Sequence, residues 1–270
     1  MGDDVAGLPA QAGRRPGGEL NGRVVLVTGA SKGIGAATVR ALGAAGAAVV
    51  AHYGSDEAGA RAATAGIPEE RRLVAGADLA DPAAAAGLWA EAVRWRGRVD
   101  VLVNNAAVME ETPFDGSEEE WRRGWERALQ INALAAADLT RAAVRHFVEH
   151  GGGVVVSLSS WVAQRAPGTS ALVAYAASKA ALKTLTQTVA RHYGKAGVLA
   201  YVVAPGVVRT RLSEQAAARV GGEEAVTASL AMGEWVPPEE VAELVVFLAS
   251  GRVRHLTGAT LDVNGATYVR

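Results

Sequence analysis

Between Arg23 and Gly265 the chain alternates short apolar, β-branched runs with longer stretches of helical periodicity. The runs are RVVLVT (23–28), AAVVAHY (47–53), RLVAGAD (72–78), VDVLVNN (99–105), GVVVSLS (153–159), VLAYVVAP (198–205) and ATLDVNG (259–265). Most are apolar at successive positions rather than at every second one, so both faces of the strand are buried. That pattern predicts a parallel sheet with helices on both sides. Right-handed crossovers make such a sheet doubly wound. No Pro/Ser-rich linker interrupts the series, which predicts one domain over residues 21–270. The opening MGDDVAGLPAQAGRRPGGEL lacks periodicity and is read as a flexible tail over residues 1–20, neither signal peptide nor membrane anchor.

In open α/β sheets ligands bind beyond the carboxyl ends of the strands. Polar or special-backbone residues collect there in this chain. Thr28 to Gly35 follow the first run, Asp78 ends the third, and Asn104 and Asn105 end the fourth. Ser159 and Ser160 end the fifth, and Pro205 to Thr210 the sixth. A cleft at that edge is expected.

Bulk composition removes several function classes. Of 270 residues half are hydrophobic and a fifth charged, and the net charge is −1. That balance gives no electrostatic footprint for nucleic acid or an anionic membrane. The chain has no cysteine, which excludes disulfides, thiol catalysis and thiolate-bound metal and fits a cytoplasmic protein. The histidines at 52, 146, 150, 192 and 255 show no metal-ligand spacing, so no catalytic metal is expected. No run reaches the ~20 apolar residues of a membrane span.

TGASKGIG (28–35) joins the first strand to the first helix. Glycines 29, 33 and 35 permit a tight turn in which backbone N–H groups and a helix N-terminus meet a pyrophosphate. Asp78 is read either as a ligand contact or as the cap of the next helix, for which Asp81 before Pro82 is the better candidate. Tyr175 and Lys179 stand at i and i+4 on one helix face, within an otherwise small and apolar segment, AYAASKAAL. They are either a packed tyrosine with a snorkelling lysine, or an acid and the cation that tunes it. A cation ~4 Å from a phenol at an effective dielectric of ~20 favours phenolate by about 4 kcal/mol. That moves a pKa near 10 down by up to ~3 units, into the working range of a proton donor and acceptor.

The G-x-x-x-G-x-G spacing, followed in order by NNAA (104–107), YAASK (175–179 within it) and PGVVRT (205–210), resembles the short-chain dehydrogenase/reductase family over about residues 21–268. The resemblance implies a single-domain Rossmann-type three-layer sandwich with a doubly wound, mostly parallel seven-stranded sheet. It also implies an oxidoreductase that interconverts a ketone and a secondary alcohol with a nicotinamide cofactor.

Carried over position by position, it implies cofactor contacts from Gly29, Ser31, Lys32, Gly33, Ile34 and Gly35 in the glycine loop. Asp78 and Leu79 would meet the adenine, with Asn105, Ala106 and Ala107 beside the ribose and Asn104 bracing the central strand. Ala107 stands where the family has glycine. Pro205, Gly206, Val208 and Thr210 would close over the nicotinamide. At the end of the second strand, NAD-preferring members carry an acid, and the aligned residue here is Tyr53, with Ser55 beyond it. With no acid there, Lys32 and Ser55 would receive a 2′-phosphate, which favours NADP(H); a solvated surface lysine is the alternative.

The resemblance makes Tyr175 the general acid/base and Lys179 its cation. Ser160, rather than Ser159, would polarise the carbonyl, and Asn132 in ALQINALAAADL would hold a relay water. Met109, Glu110, Glu111, Trp161 and Gln164 are expected to line a small-molecule substrate pocket beneath a lid over residues 213–235. Glu110 or Glu111 would favour a polar or cationic substrate. A homotetramer or homodimer through the helices of Asn132 and Tyr175 and the last strand is expected. The competing readings are a 3-oxoacyl-carrier-protein reductase, for which the rim VEHGGG (148–153) lacks basic residues, and a catalytically silent nucleotide-sensing regulator.

Overall fold

The computed structural model describes residues 18–219 and 221–269. In chain order the main elements are β1 (Val24–Val27), α1 (Gly33–Ala44), β2 (Ala48–Tyr53), α2 (Glu57–Thr64), β3 (Arg72–Gly76), α3 (Ala84–Arg96) and β4 (Val101–Asn104). There follow α4 (Glu118–Leu129), α5 (Ala135–Glu149), β5 (Gly153–Leu158), α6 (Val173–Tyr193) and β6 (Val198–Pro205). The chain closes with α7 (Arg211–Ala217), α8 (Gly222–Ser229), α9 (Pro238–Ala249) and β7 (Thr260–Val263). Each apolar run of the sequence carries one strand. The seven form one sheet in the order β3-β2-β1-β4-β5-β6-β7, and every pairing is parallel. The order reverses between β1 and β4, and at that switch point the carboxyl ends of the strands open a crevice.

Strand parity divides the core in two. Val25, Val27, Val49 and Ala51 face one layer with Val39 and Leu42 of α1 and Val241, Val245 and Leu248 of α9. Val24, Leu26, Ala48 and Val50 face the other, with Leu88 of α3, Leu139 and Phe147 of α5 and Val189 of α6. Both faces of each central strand are therefore dry, which is why their sequences lack a polar alternation.

Residues 1–17 of the expected tail lie outside the described residues. Its last residues are docked: Leu20 is fully buried and its N–H donates to the Ala45 carbonyl at 2.9 Å. Asp81 accepts from Ala83 N–H at 2.9 Å in the turn before α3, whose cap residue is Ala83 itself. Among the described residues no helix is long and apolar enough to cross a membrane.

Two local features shape the crevice. Between α4 and α5 the helix widens into a π-turn over Gln130–Leu134, the kind of defect that helices keep at functional sites. α4 itself starts on a capping box, Ser117 with Glu120. After β6 the chain leaves the sheet through Pro205 and Gly206 and builds α7 and α8, which cover their own small core of Ala217, Leu230 and Trp235.

Candidate active site

A cavity of about 630 Å³ runs along the carboxyl edge of the sheet, within the range of ~300–1,000 Å³ usual for small-molecule and cofactor sites. Its lining includes Gly29, Ser31, Lys32, Gly33, Ile34 and Gly35 from the loop into α1, and Ser55, Asp78 and Leu79 beyond β2 and β3. Asn105, Ala106, Ala107, Met109 and Glu110 follow β4. Tyr175 and Lys179 of α6, and Pro205 and Thr210 beyond β6, complete the far wall.

The glycine loop has its shape for steric reasons. Gly29 adopts φ 68°, a left-handed conformation that side chains other than glycine rarely take. A Cβ on Gly35 would lie 2.1 Å from the Gly29 carbonyl oxygen and 2.5 Å from Asn105 Nδ2. Asn105 locks the loop from the other side, its Nδ2 donating to the carbonyls of Thr28 at 2.8 Å and Gly29 at 3.0 Å. The loop brace is thus Asn105; Asn104 instead points into the layer below, donating to Thr140 Oγ1 at 2.9 Å. The result is a tight turn that presents the N-terminus of α1 to the cavity, with Lys32 and Arg211 among the cations on the same cavity. Neither has a hydrogen-bond or ion-pair partner among the described residues. Backbone donors, a helix dipole and free cations together form a cradle for a polyanion such as a dinucleotide pyrophosphate.

Several expected contacts sit elsewhere. Tyr53 turns away from the cavity, because it lies one residue past His52 on the opposite face of β2. Its hydroxyl donates to Glu57 Oε2 at 3.0 Å and its ring covers Gly76. His52, unremarked in the sequence, lines the cavity in its place. Gly206 packs against Asn264, and Val208 is buried and bridges to Val236, so neither side of that segment but Pro205, Thr210, Arg211 and Leu212 faces the cavity. Asp56, beyond β2, does line the cavity and also caps α2 by accepting from Gly59 N–H at 2.8 Å.

At the other end of the cavity, α6 brings Tyr175 and Lys179 together. Lys179 is 2 % exposed, and its Nζ donates to the Leu158 carbonyl at 2.8 Å and lies 5.9 Å from the centre of the Tyr175 ring. Burial pushes the ammonium down to about 8. Burial also pushes the Tyr175 phenol up to about 12, opposed by the neighbouring Ser160 hydroxyl. Desolvation, rather than the expected lowering by Lys179, sets the direction in the chain alone, and at neutral pH the tyrosine is a protonated donor. Between the two candidate serines the structure divides the work. Ser160 lies beside Tyr175 and draws its pKa down while its Oγ accepts from Val162 N–H at 3.4 Å, whereas Ser159 lines the cavity and turns its hydroxyl to the Lys179 carbonyl at 2.9 Å.

Asn132 sits in the π-turn, fully buried. Its Oδ1 accepts from Val108 N–H at 2.8 Å, and its Nδ2 donates to the Val108 carbonyl and to Ser178 Oγ, both at 2.9 Å. The amide ties the segment after β4 to α6, one residue from Lys179.

On the substrate rim, Glu110 pairs with Arg127 at 2.8 Å and Glu111 with Arg219. Each acid is neutralised by an arginine distant in sequence, which removes the expected attraction for a cationic substrate. Gln164 donates to Asp262 Oδ1 at 2.7 Å, and Trp161 stacks under Arg165, 5.1 Å from ring centre to guanidinium carbon. Arg127, Arg211 and Leu212 were not legible as cavity residues in the sequence.

Comparison with known proteins places this geometry in a large group. A family model described as enoyl-(acyl carrier protein) reductase matches residues 29–266. A 3beta-hydroxysteroid dehydrogenase from Eggerthella lenta is 36% identical over 250 residues, covering 92% of this chain and 94% of that protein. An L-rhamnose 1-dehydrogenase (NAD(P)(+)) from Azotobacter vinelandii is 35% identical, covering 92% of this chain and 97% of its own length. Among solved structures, a short chain dehydrogenase from Burkholderia cenocepacia in complex with NADP superposes with a TM-score of 0.80. It is 33% identical and covers 92% of this chain and 99% of that one.

Proposed function

The chain belongs to the short-chain dehydrogenase/reductase family, an oxidoreductase acting on CH–OH groups with a nicotinamide cofactor, and we propose that it interconverts a small-molecule ketone and a secondary alcohol, with NADP(H) preferred and Tyr175 as the acid/base. The observation that carries this reading is the meeting of Tyr175 and Lys179 at one end of a cavity whose other end is the glycine-loop cradle, with Ser160 beside the phenol.

When bound, the cofactor supplies or takes up a hydride at the reacting carbon. The chain's own residues handle the oxygen and the proton. The Tyr175 phenol, kept protonated by burial, gives its proton to the developing alkoxide; Ser160, beside the phenol, would stabilise the same oxygen. Lys179 holds a positive charge beside the ring and offsets the phenolate that forms once the proton has left. The Asn132 clamp fixes the loop after β4 against α6, so the spacing between the two cavity walls is held by buried hydrogen bonds.

For the cofactor, the residues fit an additional phosphate. The Lys32 side chain is free among the described residues, Ser55 lines the cavity, and Asp56, which lines it too, is engaged through Oδ1 as the cap of α2. The NADP-bound relative from Burkholderia cenocepacia supports the same preference. Self-association is proposed as well, through the face where Phe114, Leu134 and Val148 are exposed; light scattering that gave a monomer mass would contradict it.

A panel of ketones and secondary alcohols, assayed with NADPH and NADH in parallel, tests the proposal. Turnover of at least one ketone with NADPH favoured is expected. A strong preference for NADH would refute the cofactor assignment, and binding of dinucleotide without turnover across the panel would favour a silent nucleotide sensor.

A further inference from the structure

His52 is 2 % exposed near the end of a strand otherwise made of alanine, valine and Tyr53. A polar ring buried there has to satisfy both nitrogens. It does so across two different elements. Nδ1 accepts from Gly29 N–H at 3.1 Å, and Nε2 lies 2.9 Å from the Ala77 carbonyl oxygen. An amide N–H only donates and a carbonyl only accepts, so the partners fix the tautomer: the proton is on Nε2 and the lone pair on Nδ1. A third tie comes from the backbone, with Ala30 N–H donating to the His52 carbonyl at 2.7 Å. Gly29 opens the glycine loop and Ala77 precedes Asp78 on the opposite wall, and all three residues line the cavity.

We infer that His52 is a positioning residue for the dinucleotide: its neutral imidazole holds the first turn of the glycine loop at a fixed distance from the Ala77–Asp78 wall, and its protonation releases that loop and weakens cofactor binding. The inference rests on the reading of this cavity as the dinucleotide site. A protonated ring carries a donor on each nitrogen, so Nδ1–H would confront Gly29 N–H and the bond would be replaced by donor facing donor. The charged and titratable groups that share its cavity are Lys32 on the glycine loop, Asp56 beyond β2, Asp78 beyond β3 and, along the rest of the cavity wall, Glu110, Arg127, Tyr175, Lys179 and Arg211; none of them moves the His52 pKa, which burial and the Ala77 bond set. Tyr53 and Glu57 pair on the opposite face of β2. Burial holds the imidazole below its ordinary pKa, opposed by the bond to Ala77, so the neutral form prevails at neutral pH. The sign follows: cofactor affinity is complete near neutrality and falls as pH drops through the lowered pKa, by up to about tenfold per pH unit.

The test is calorimetric titration of NAD+ and NADP+ into wild type, His52→Asn and His52→Leu between about pH 8 and about pH 5, with circular dichroism reporting the fold at each point. NAD+ is included because the 2′-phosphate of NADP+ itself titrates near ~6. Wild type is expected to lose affinity for both dinucleotides progressively towards the acid end of that range. Asn places an amide oxygen where Nδ1 stands and does not titrate. His52→Asn is therefore expected to bind within about threefold of wild type near neutrality and to keep that affinity in acid. His52→Leu, where it folds, binds about tenfold more weakly at every pH. The inference is overturned if His52→Asn keeps the wild-type pH slope, if the slope appears with NADP+ alone, or if His52→Leu binds as tightly as wild type. Wild-type protein that binds neither dinucleotide would overturn both the inference and the reading of the cavity.

Discussion

The two halves of the cleft are held by different kinds of force. On the glycine-loop side, Gly29, Asn105 and His52 are fixed by part-buried hydrogen bonds of 2.8 to 3.1 Å and by van der Waals contacts that leave no room for a Cβ at Gly35. On the substrate rim, the fastenings are ion pairs between exposed side chains: Glu110 with Arg127, Glu111 with Arg219, Arg209 with Glu223. Buried contacts of the first kind tolerate almost no change, whereas exposed pairs contribute roughly 0–1 kcal/mol each and are screened by salt. The contrast teaches where precision is needed. A dinucleotide is a constant ligand and a rigid cradle suits it; a rim latched by weak pairs can open and reclose over a substrate without large cost.

Substitutions break that contrast in a graded order. Gly35→Ala is expected to have the largest effect of those on the two walls. Its Cβ meets backbone on one side and Asn105 on the other, so overpacking costs about 1–3 kcal/mol of stability and the displaced loop loses dinucleotide binding by more than ~10-fold, both measurable by thermal melting and titration. Lys32→Ala should follow. It is expected to weaken NADPH by about 10-fold while changing NADH little, since one charge-assisted contact to a phosphate is worth ~1.5–3 kcal/mol; parallel KM values check it. On the rim, Glu111→Gln should change melting temperature hardly at all, by less than ~1 kcal/mol equivalent, yet make substrate KM less sensitive to salt.

The pH dependence sharpens the comparison from the chemical side. In the proposed mechanism, reduction consumes the Tyr175 proton and uses the Lys179 charge. Of the two, Lys179 loses its proton first, its pKa lowered to about 8 while the phenol stays near 12. Reductive kcat/KM is therefore expected to fall as pH rises past that point. The smallest effect is on stability in acid. Burial, then the neighbouring His150, lowers the His146 pKa, and its neutral Nε2 accepts from Val99 N–H at 3.3 Å. The unfolded chain binds the proton more readily, so this contribution is full above the unfolded pKa and is lost as pH falls below it. His146→Gln should flatten that part of a melting-temperature profile.

The fold was legible because parallel strands buried on both faces leave an unmistakable trace, seven apolar runs that became seven strands. The same property hid part of the site. A run such as AVVA gives no sign of which face each residue takes, so the choice between His52 and Tyr53 as the cavity residue waited on the sheet. The signal for His52 was nonetheless present: an imidazole among alanine and valine in a buried strand needs partners. Tyr175 and Lys179 were readable from their i, i+4 spacing, but the depth of their burial was not, and burial reverses the expected direction of the tyrosine shift. The rim acids were visible and their arginines were too; what joins Glu111 to Arg219 is the tertiary fold, across 108 positions of sequence.

The central claim is that Tyr175 handles the proton while the glycine-loop half of the cleft binds the dinucleotide independently of it. The direct measurement is a paired one on Tyr175→Phe: NADP+ affinity by titration, and turnover of the best ketone from the substrate panel. Affinity within about threefold of wild type, with kcat lower by roughly 10²–10⁴, is the expected result. Turnover by Tyr175→Phe at the wild-type rate would contradict it.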